Sequence, residues 1–258
     1  MDLETHYATG PPETSRLART PHGRLEYLRT RELLHRFLPG HARVLDVGGG
    51  TGVHAAWLAG EGHTVHLVDV VPGHVATASA VPGVTARVGD ARQLAVDSAA
   101  WDVVLLLGPL YHLVDAADRA RALAEARRVL RPGGLVAAAG ISRYLSLLET
   151  GAAGTLTDDR VAPIRDVVTT GAYDGHVGFV PTHWHTATEL HDELAAAGFT
   201  GTGVYGVEGP AWPALDEAGL TAFDSRVEAA LRAARLAERD PHLVHASAHL
   251  LALARRPA

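Results

Sequence analysis

The chain contains no cysteine and no lysine. Without cysteine, neither disulfides nor thiol chemistry is available, and no redox compartment can be read from cysteine usage. Without lysine, arginine supplies all 23 basic charges against 29 acids, for a formal net charge of −6. No dense basic stripe appears, so nucleic acid is not expected as a partner. No apolar run reaches membrane-spanning length, so a membrane is not expected either. Residues 1–10 are polar and acidic and lack the basic and apolar blocks of a signal peptide. The expectation is a soluble cytoplasmic protein, monomer or homodimer. What remains is a chain of 258 residues with 47% hydrophobic content, enough for one core-burying domain with an elaboration.

The run Val44-Leu45-Asp46-Val47-Gly48-Gly49-Gly50-Thr51-Gly52 reads as a buried strand ending in an acid-tipped glycine turn. The turn opens into a helix over 54–59. Glycines between strand and helix bring bare backbone close to a ligand, beside the helix's positive end. A dinucleotide fingerprint places glycines at the first, third and sixth positions. Here they fall at the first, third and fifth, Gly48, Gly50 and Gly52, and the sixth is Val53. A second apolar strand over 64–68 ends in Asp69, where an acid can bridge both hydroxyls of a ribose. Arg87-Val88-Gly89-Asp90-Ala91 is a short strand with an acid at its carboxyl end. Residues 101–108 form a continuous apolar strand, a helix spans about 117–130, Arg131-Pro132-Gly133-Gly134 stops it, and 135–139 make a fifth strand.

This ordered series resembles the class I S-adenosylmethionine (SAM) methyltransferases, firmly over residues 44–139. The resemblance implies SAM as cofactor. Gly48, Gly50 and Gly52 would admit the methionine moiety, with Asp46 orienting the turn or meeting its amino group. Asp69 would take the ribose hydroxyls with Val70 against the adenine. Asp90 would take the adenine amino group, with Ala91 and Arg92 nearby and Gly108 at the end of the fourth strand. Gly108-Pro109-Leu110-Tyr111-His112-Leu113 resembles the post-strand motif of a bacterial small-molecule subgroup, and departs from the motif that clamps planar nitrogens. The N-terminal stretch holding Tyr7, Arg16 and residues 23–31, and the segments 206–210 and 246–250, resemble the same subgroup. Tyr7 could lie over the cofactor and Arg29 could hold the SAM carboxylate, unless Arg29 is a solvated helix charge.

The alternation of strand and helix over 41–140 predicts an α/β fold, a doubly wound, seven-stranded, mostly parallel sheet. Four segments follow: an N-terminal helical arm over 1–40, with a helix at 23–38; the SAM-binding core over 41–140; an inserted cap or lid over 141–185; and a completion of the sheet over 186–258. The last segment is expected to hold helices over 186–197 and 214–238, and strands at 202–207 and 246–254, the final one antiparallel beside the sixth. The apolar stripe of the long helix reads as core.

The acceptor end is less legible. Tyr111 and His112 follow the fourth strand, where such folds place their sites, and His112 could be a base or a packing residue. His176, His183 and Trp184 are expected to line the cap pocket, where one histidine could serve as acceptor-side base; Glu149, Tyr144 and Glu208 are further pocket candidates. His183-Trp184-His185 could chelate only with a third ligand, His176 or Glu189, and no metal is expected. Transfer of a methyl group to oxygen or nitrogen of a small molecule is favoured over carbon. Two alternatives stay open: a SAM-binding enzyme catalysing another reaction, and a non-catalytic SAM-binding partner protein.

Overall fold

A computed structural model describes residues 13–175 and 179–258; Tyr7 and His176 lie outside them. A single turn, α1 (Arg16–Arg19), leads into α2 (Pro21–His35). Pro21 pre-sets the first turn of α2, and the Thr20 hydroxyl accepts from the Gly23 amide. Helix α2 begins ahead of residue 23 because that capping pair precedes the apolar stripe. Leu25, Leu33 and Leu34 on it are fully buried.

The core then alternates: β1 (Arg43–Val47), α3 (Val53–Gly60), β2 (Thr64–Asp69), α4 (Pro72–Ser79), β3 (Val84–Val88), β4 (Trp101–Leu106), α5 (Pro109–His112), α6 (Ala116–Val129) and β5 (Leu130–Ser142). Strands β1, β2, β4 and β5 carry near-continuous apolar runs because helices cover both faces of the sheet. Strand β5 starts earlier than the glycines suggest. Leu130 already pairs with Trp101, and the register then shifts across the Arg131–Gly134 bend, where Gly133 takes a positive φ of 77°.

Beyond β5 come α7 (Leu145–Ala152), α8 (Asp158–Thr170), β6 (Ala172–Tyr173) and β7 (Thr182–His185). Strand β7 pairs in parallel with the far end of β5 through Ile141 and Ser142, and β6 pairs antiparallel with β7. The chain closes with α9 (Ala187–Ala196), β8 (Thr200–Gly206), α10 (Trp212–Ala218), α11 (Phe223–Ala237) and β9 (His249–Arg255). Thr186 and Glu189 form a capping box that starts α9.

The single helix expected over 214–238 is two. Gly219 sits at φ 74° and ψ 172°, a conformation open to glycine alone, and breaks it into α10 and α11. Phe223, Ala230 and Ala234 nonetheless face inward, as the stripe implied.

The main sheet runs β3-β2-β1-β4-β5-β9-β8, with β9 antiparallel to both neighbours; β6 and β7 extend it to nine strands among the described residues. Helices α6 and α9 bury one face with Leu123, Ala126, Leu190 and Leu194. Helices α2, α3 and α4 bury the other with Leu33, Leu58 and Ala78. Because β9 runs against the rest, its first residue, His249, lies opposite Ile141, at the carboxyl end of β5. That edge of the sheet is where the main cavity opens.

Candidate functional site

The glycine turn is a bare-backbone cradle. Gly48, Gly50 and Gly52 have φ values of 68°, 57° and 87°. A Cβ on Gly48 would come within 2.6 Å of the Pro109 ring, and one on Gly49 within 2.6 Å of the Asp46 carboxylate. Side chains are excluded there by space as well as by conformation. Asp69 stitches the turn to β2: one oxygen accepts from Gly50 N at 2.8 Å and the other from Val71 N at 2.9 Å. The acid at the end of β2 therefore holds the cradle's shape besides facing the cavity.

Asp46 lies beneath the turn, almost wholly buried, and one of its carboxylate oxygens has no hydrogen-bond partner. Burial, then the neighbouring Asp69 charge, raises its pKa to about 7. An orphaned buried carboxylate below a glycine cradle suits a ligand that brings a positive amino group. Asp90 is held differently. It accepts from the Arg92 amide at 2.8 Å and from the Arg92 guanidinium at 2.6 Å, while Arg92 also bonds Asp118 at 2.7 Å. The Arg92 hydrogen bond, against partial desolvation, keeps Asp90 below its ordinary carboxylate range.

These groups line one cavity of about 740 Å³. Its walls include Asp46, Gly48, Gly50, Asp69, Val70, Asp90, Ala91, Arg92, Gly108, Tyr111 and His112. The volume is in the range of about 300–1,000 Å³ typical of small-molecule sites. A cleft at the carboxyl ends of the parallel strands is where a doubly wound sheet binds ligands. The residues present thus fit SAM: a cradle for the methionine portion, an acid at the end of β2 for the ribose, and Asp90 beside Ala91 for the base.

Several expected site residues lie elsewhere. Gly52 does not line the cavity; it turns the chain into α3 and packs against Ala78. Arg29 is neither solvated nor at the cavity. It is fully buried, donating to Val207 O at 3.1 Å and pairing with Glu238 at 2.6 Å and Glu32 at 2.7 Å, so it locks α2 to the C-terminal elements. His183 does not line the cavity either. Its Nε2 pairs with Glu189 at 2.9 Å, because β7 turns its edge toward α9. Trp184 stacks on Tyr173 at 4.8 Å, and none of the described residues of 141–185 is in the cavity wall. Tyr144, Glu149 and Glu208 are absent from that wall as well. The cap segment reaches the site indirectly: Tyr111 packs against Ile141, Tyr173 and Trp184, and the His112 ring lies 5.6 Å from that of Phe179.

The far wall comes from the chain's two ends. Arg16, Glu26, Thr30, Val207, His249 and Leu251 line it. Arg16 binds both oxygens of Glu26, at 3.0 and 2.9 Å. Burial raises and Arg16 more than reverses the Glu26 pKa, which falls to about 2. His54 is also in this wall, and burial lowers its pKa to about 4, so it stays neutral. Glu26 and His249 sit in segments that resemble a methyltransferase subgroup, yet no local spacing singles them out. Only the fold brings them together.

Comparison with known proteins agrees with this geometry. Residues 44–134 match the family described as "Methyltransferase domain". An uncharacterized methyltransferase of Mycobacterium tuberculosis is 35% identical over 140 residues, 54% of this chain and 56% of that protein. The chain thus spans little more than half the length of that curated relative. Among solved structures, a SAM-dependent methyltransferase from Mesorhizobium loti superposes with a TM-score of 0.59 at 21% identity, covering 90% of this chain and 100% of that one. The [4+2]-cyclase SpnF superposes with a TM-score of 0.57 at 20% identity, covering 90% and 82%. The chain shares the Rossmann-like fold of these solved structures, and its residues 44–134 match the methyltransferase-domain family.

Proposed function

We propose that the protein is a SAM-dependent methyltransferase acting on an oxygen or nitrogen atom of a small-molecule acceptor. The observation that carries this reading is the cavity of about 740 Å³ in which the glycine cradle, Asp69 and Asp90 share a wall. Asp69 takes the ribose hydroxyls while its remaining contacts hold Gly50 in place. Asp46, partly protonated near neutral pH without a ligand, accepts the amino group of the methionine portion as its carboxylate. Val70, Ala91 and Arg92 border the base. Bound SAM supplies an electrophilic methyl group, so the chain's own task is to hold the acceptor in line with it and exclude water. Tyr111 and His112, after β4, flank that position.

The test is calorimetry with SAM and S-adenosylhomocysteine, followed by mass spectrometry of a panel of phenols, catechols and primary amines. Methylated product with stoichiometric S-adenosylhomocysteine supports the reading. No affinity for SAM overturns it. Conversion of a substrate without S-adenosylhomocysteine would indicate a non-transfer reaction on this fold, and affinity without turnover a binding partner. The fold shared with a cyclase does not by itself choose among these.

A further inference from the structure

Glu208 is wholly buried, and one residue holds both of its oxygens. The backbone N–H of His249 donates to one at 2.9 Å, and the ring Nδ1 of His249 meets the other at 2.6 Å. A carboxylate gripped by backbone and ring of the same residue fixes that ring's rotamer. It also fixes the tautomer: Nδ1 carries the proton, and Nε2 on the opposite edge is the lone-pair nitrogen. His249 lines the cavity with Ala139, Val207 and Leu251, so Nε2 is the ring atom available to a molecule there.

A second carboxylate, Glu26 from α2, lies 3.7 Å from the same Nδ1. The Glu26 charge is answered by Arg16, whereas no guanidinium reaches Glu208 among the described contacts. A buried carboxylate in that position is compensated by the imidazole beside it. Burial alone would lower the pKa of His249, but the Glu26 and Glu208 carboxylates outweigh it and raise the pKa above its ordinary value of 6.5, with Arg16 opposing. His22, at the start of α2, belongs to the same charge network: it is paired with Asp216 at 2.5 Å, and the His249 charge lowers its pKa against the rise that Asp216 causes. The result is a histidine whose basicity is tuned upward at the cavity wall, unlike His54, which burial leaves a weak base.

On the methyl-transfer reading, we infer that His249, oriented by Glu208, accepts the proton of a hydroxyl or amine acceptor bound in this cavity. The acceptor's heteroatom forms its bond to the methyl carbon as the carbon–sulfur bond breaks and its electron pair stays on sulfur. The acceptor's proton passes to Nε2 of His249. The imidazolium is stabilised by Glu208 and Glu26, and later loses the proton to water. The orienter–base arrangement is that of a nucleophile-activating pair, built here from the ends of β8 and β9.

Histidine NMR titration of the full chain tests this without any acceptor. His249→Asn identifies the resonance and keeps a donor near the Nδ1 position, so the Glu208 contact survives. Expected are an Nδ1–H tautomer in the neutral form, a pKa above that of an ordinary histidine, and a fall on Glu208→Gln. An Nε2–H tautomer, or a titration indifferent to Glu208→Gln, overturns the proposal. With SAM and a phenol, catechol or primary amine that turns over, His249→Asn should lower S-adenosylhomocysteine release by about a hundredfold or more and remove the acidic limb of the pH profile, while SAM affinity is unchanged. Glu208→Gln should move that limb toward lower pH. An unaltered limb in both variants overturns the proposal even if transfer occurs. A panel with no turnover counts against the functional reading, and the titration then decides the role of His249.

Discussion

His183 and His185 on β7 meet Glu189 and Glu193 on α9, and His249 on β9 meets Glu208 and Glu26 from two other segments. Both groupings are largely buried, and both set histidine rings against carboxylates. They differ in how their charges close. In the first, Arg143 binds Glu189 at 2.6 Å and Arg119 binds Glu193 at 2.8 Å, so each carboxylate already has a guanidinium. Its histidines stack edge to face, 4.6 Å apart, away from the cavity. In the second, Glu208 relies on His249, and the ring turns its other edge to the cavity. A polar cluster whose charges cancel internally is a fastener. One whose balance depends on a titrating ring beside a cavity can move a proton.

The sharpest way to break this comparison is to substitute both histidines. His249→Asn should cut methyl transfer by about a hundredfold or more, whereas His183→Gln should leave turnover within about twofold and lower the melting temperature. Equal losses from both, read by S-adenosylhomocysteine release, would erase the distinction. Next in size is Asp69→Ala. Loss of the ribose contacts proposed for Asp69 should by itself weaken SAM binding by about 1.5–3 kcal/mol by calorimetry, and release of the Gly50 and Val71 amides should add to it.

Acid unfolding sharpens the fastener side. Burial opposes, and His183 and Arg143 more than reverse, the Glu189 pKa, which falls from 4.5 to about 2. A depressed carboxylate stabilises the fold above its unfolded value and loses that contribution as pH falls from 4.5 toward about 2. Glu189→Gln should therefore cost stability at neutral pH, about 1 kcal/mol, and flatten the acid unfolding curve across that window. Zinc addition should not raise the melting temperature, since Arg119 and Arg143 occupy the carboxylates a cation would need. A marked rise that His183→Gln abolishes would make this grouping a metal site.

The smallest effect concerns Asp46. Its pKa of about 7, above the ordinary 3.8, means the fold gains stability from its proton that is lost as pH rises through about 7. An amino group placed beside it should expel that proton. SAM binding measured in buffers of different ionisation enthalpy should then show fractional proton release near neutral pH, absent in Asp46→Asn.

The cofactor wall was legible because its residues follow one another along a few strand ends. The turn from Val44 to Gly52, Asp69 and Asp90 each close a strand that alternates with a helix, so period and punctuation place them on one edge. The sealed cluster is legible for the same local reason, His183 and His185 being two apart on a strand. Arg29 was misread because its partners, Glu32, Glu238 and the Val207 carbonyl, include two that are remote in sequence. The break at Gly219 was missed because one glycine within an apolar stripe does not reveal its φ.

The sequence by itself determined the alternating sheet, the glycine cradle and the acids at its strand ends, since each depends on residues within a few positions of one another. Only the tertiary structure decided the wall opposite. Strand β9 runs antiparallel, which carries His249 from near the chain's end to the carboxyl edge of β5. Helix α2 crosses the same edge and brings Glu26 and Arg16 to it. No local pattern encodes that meeting, because His249 lies 41 residues from Glu208 and more than 200 from Glu26 along the chain.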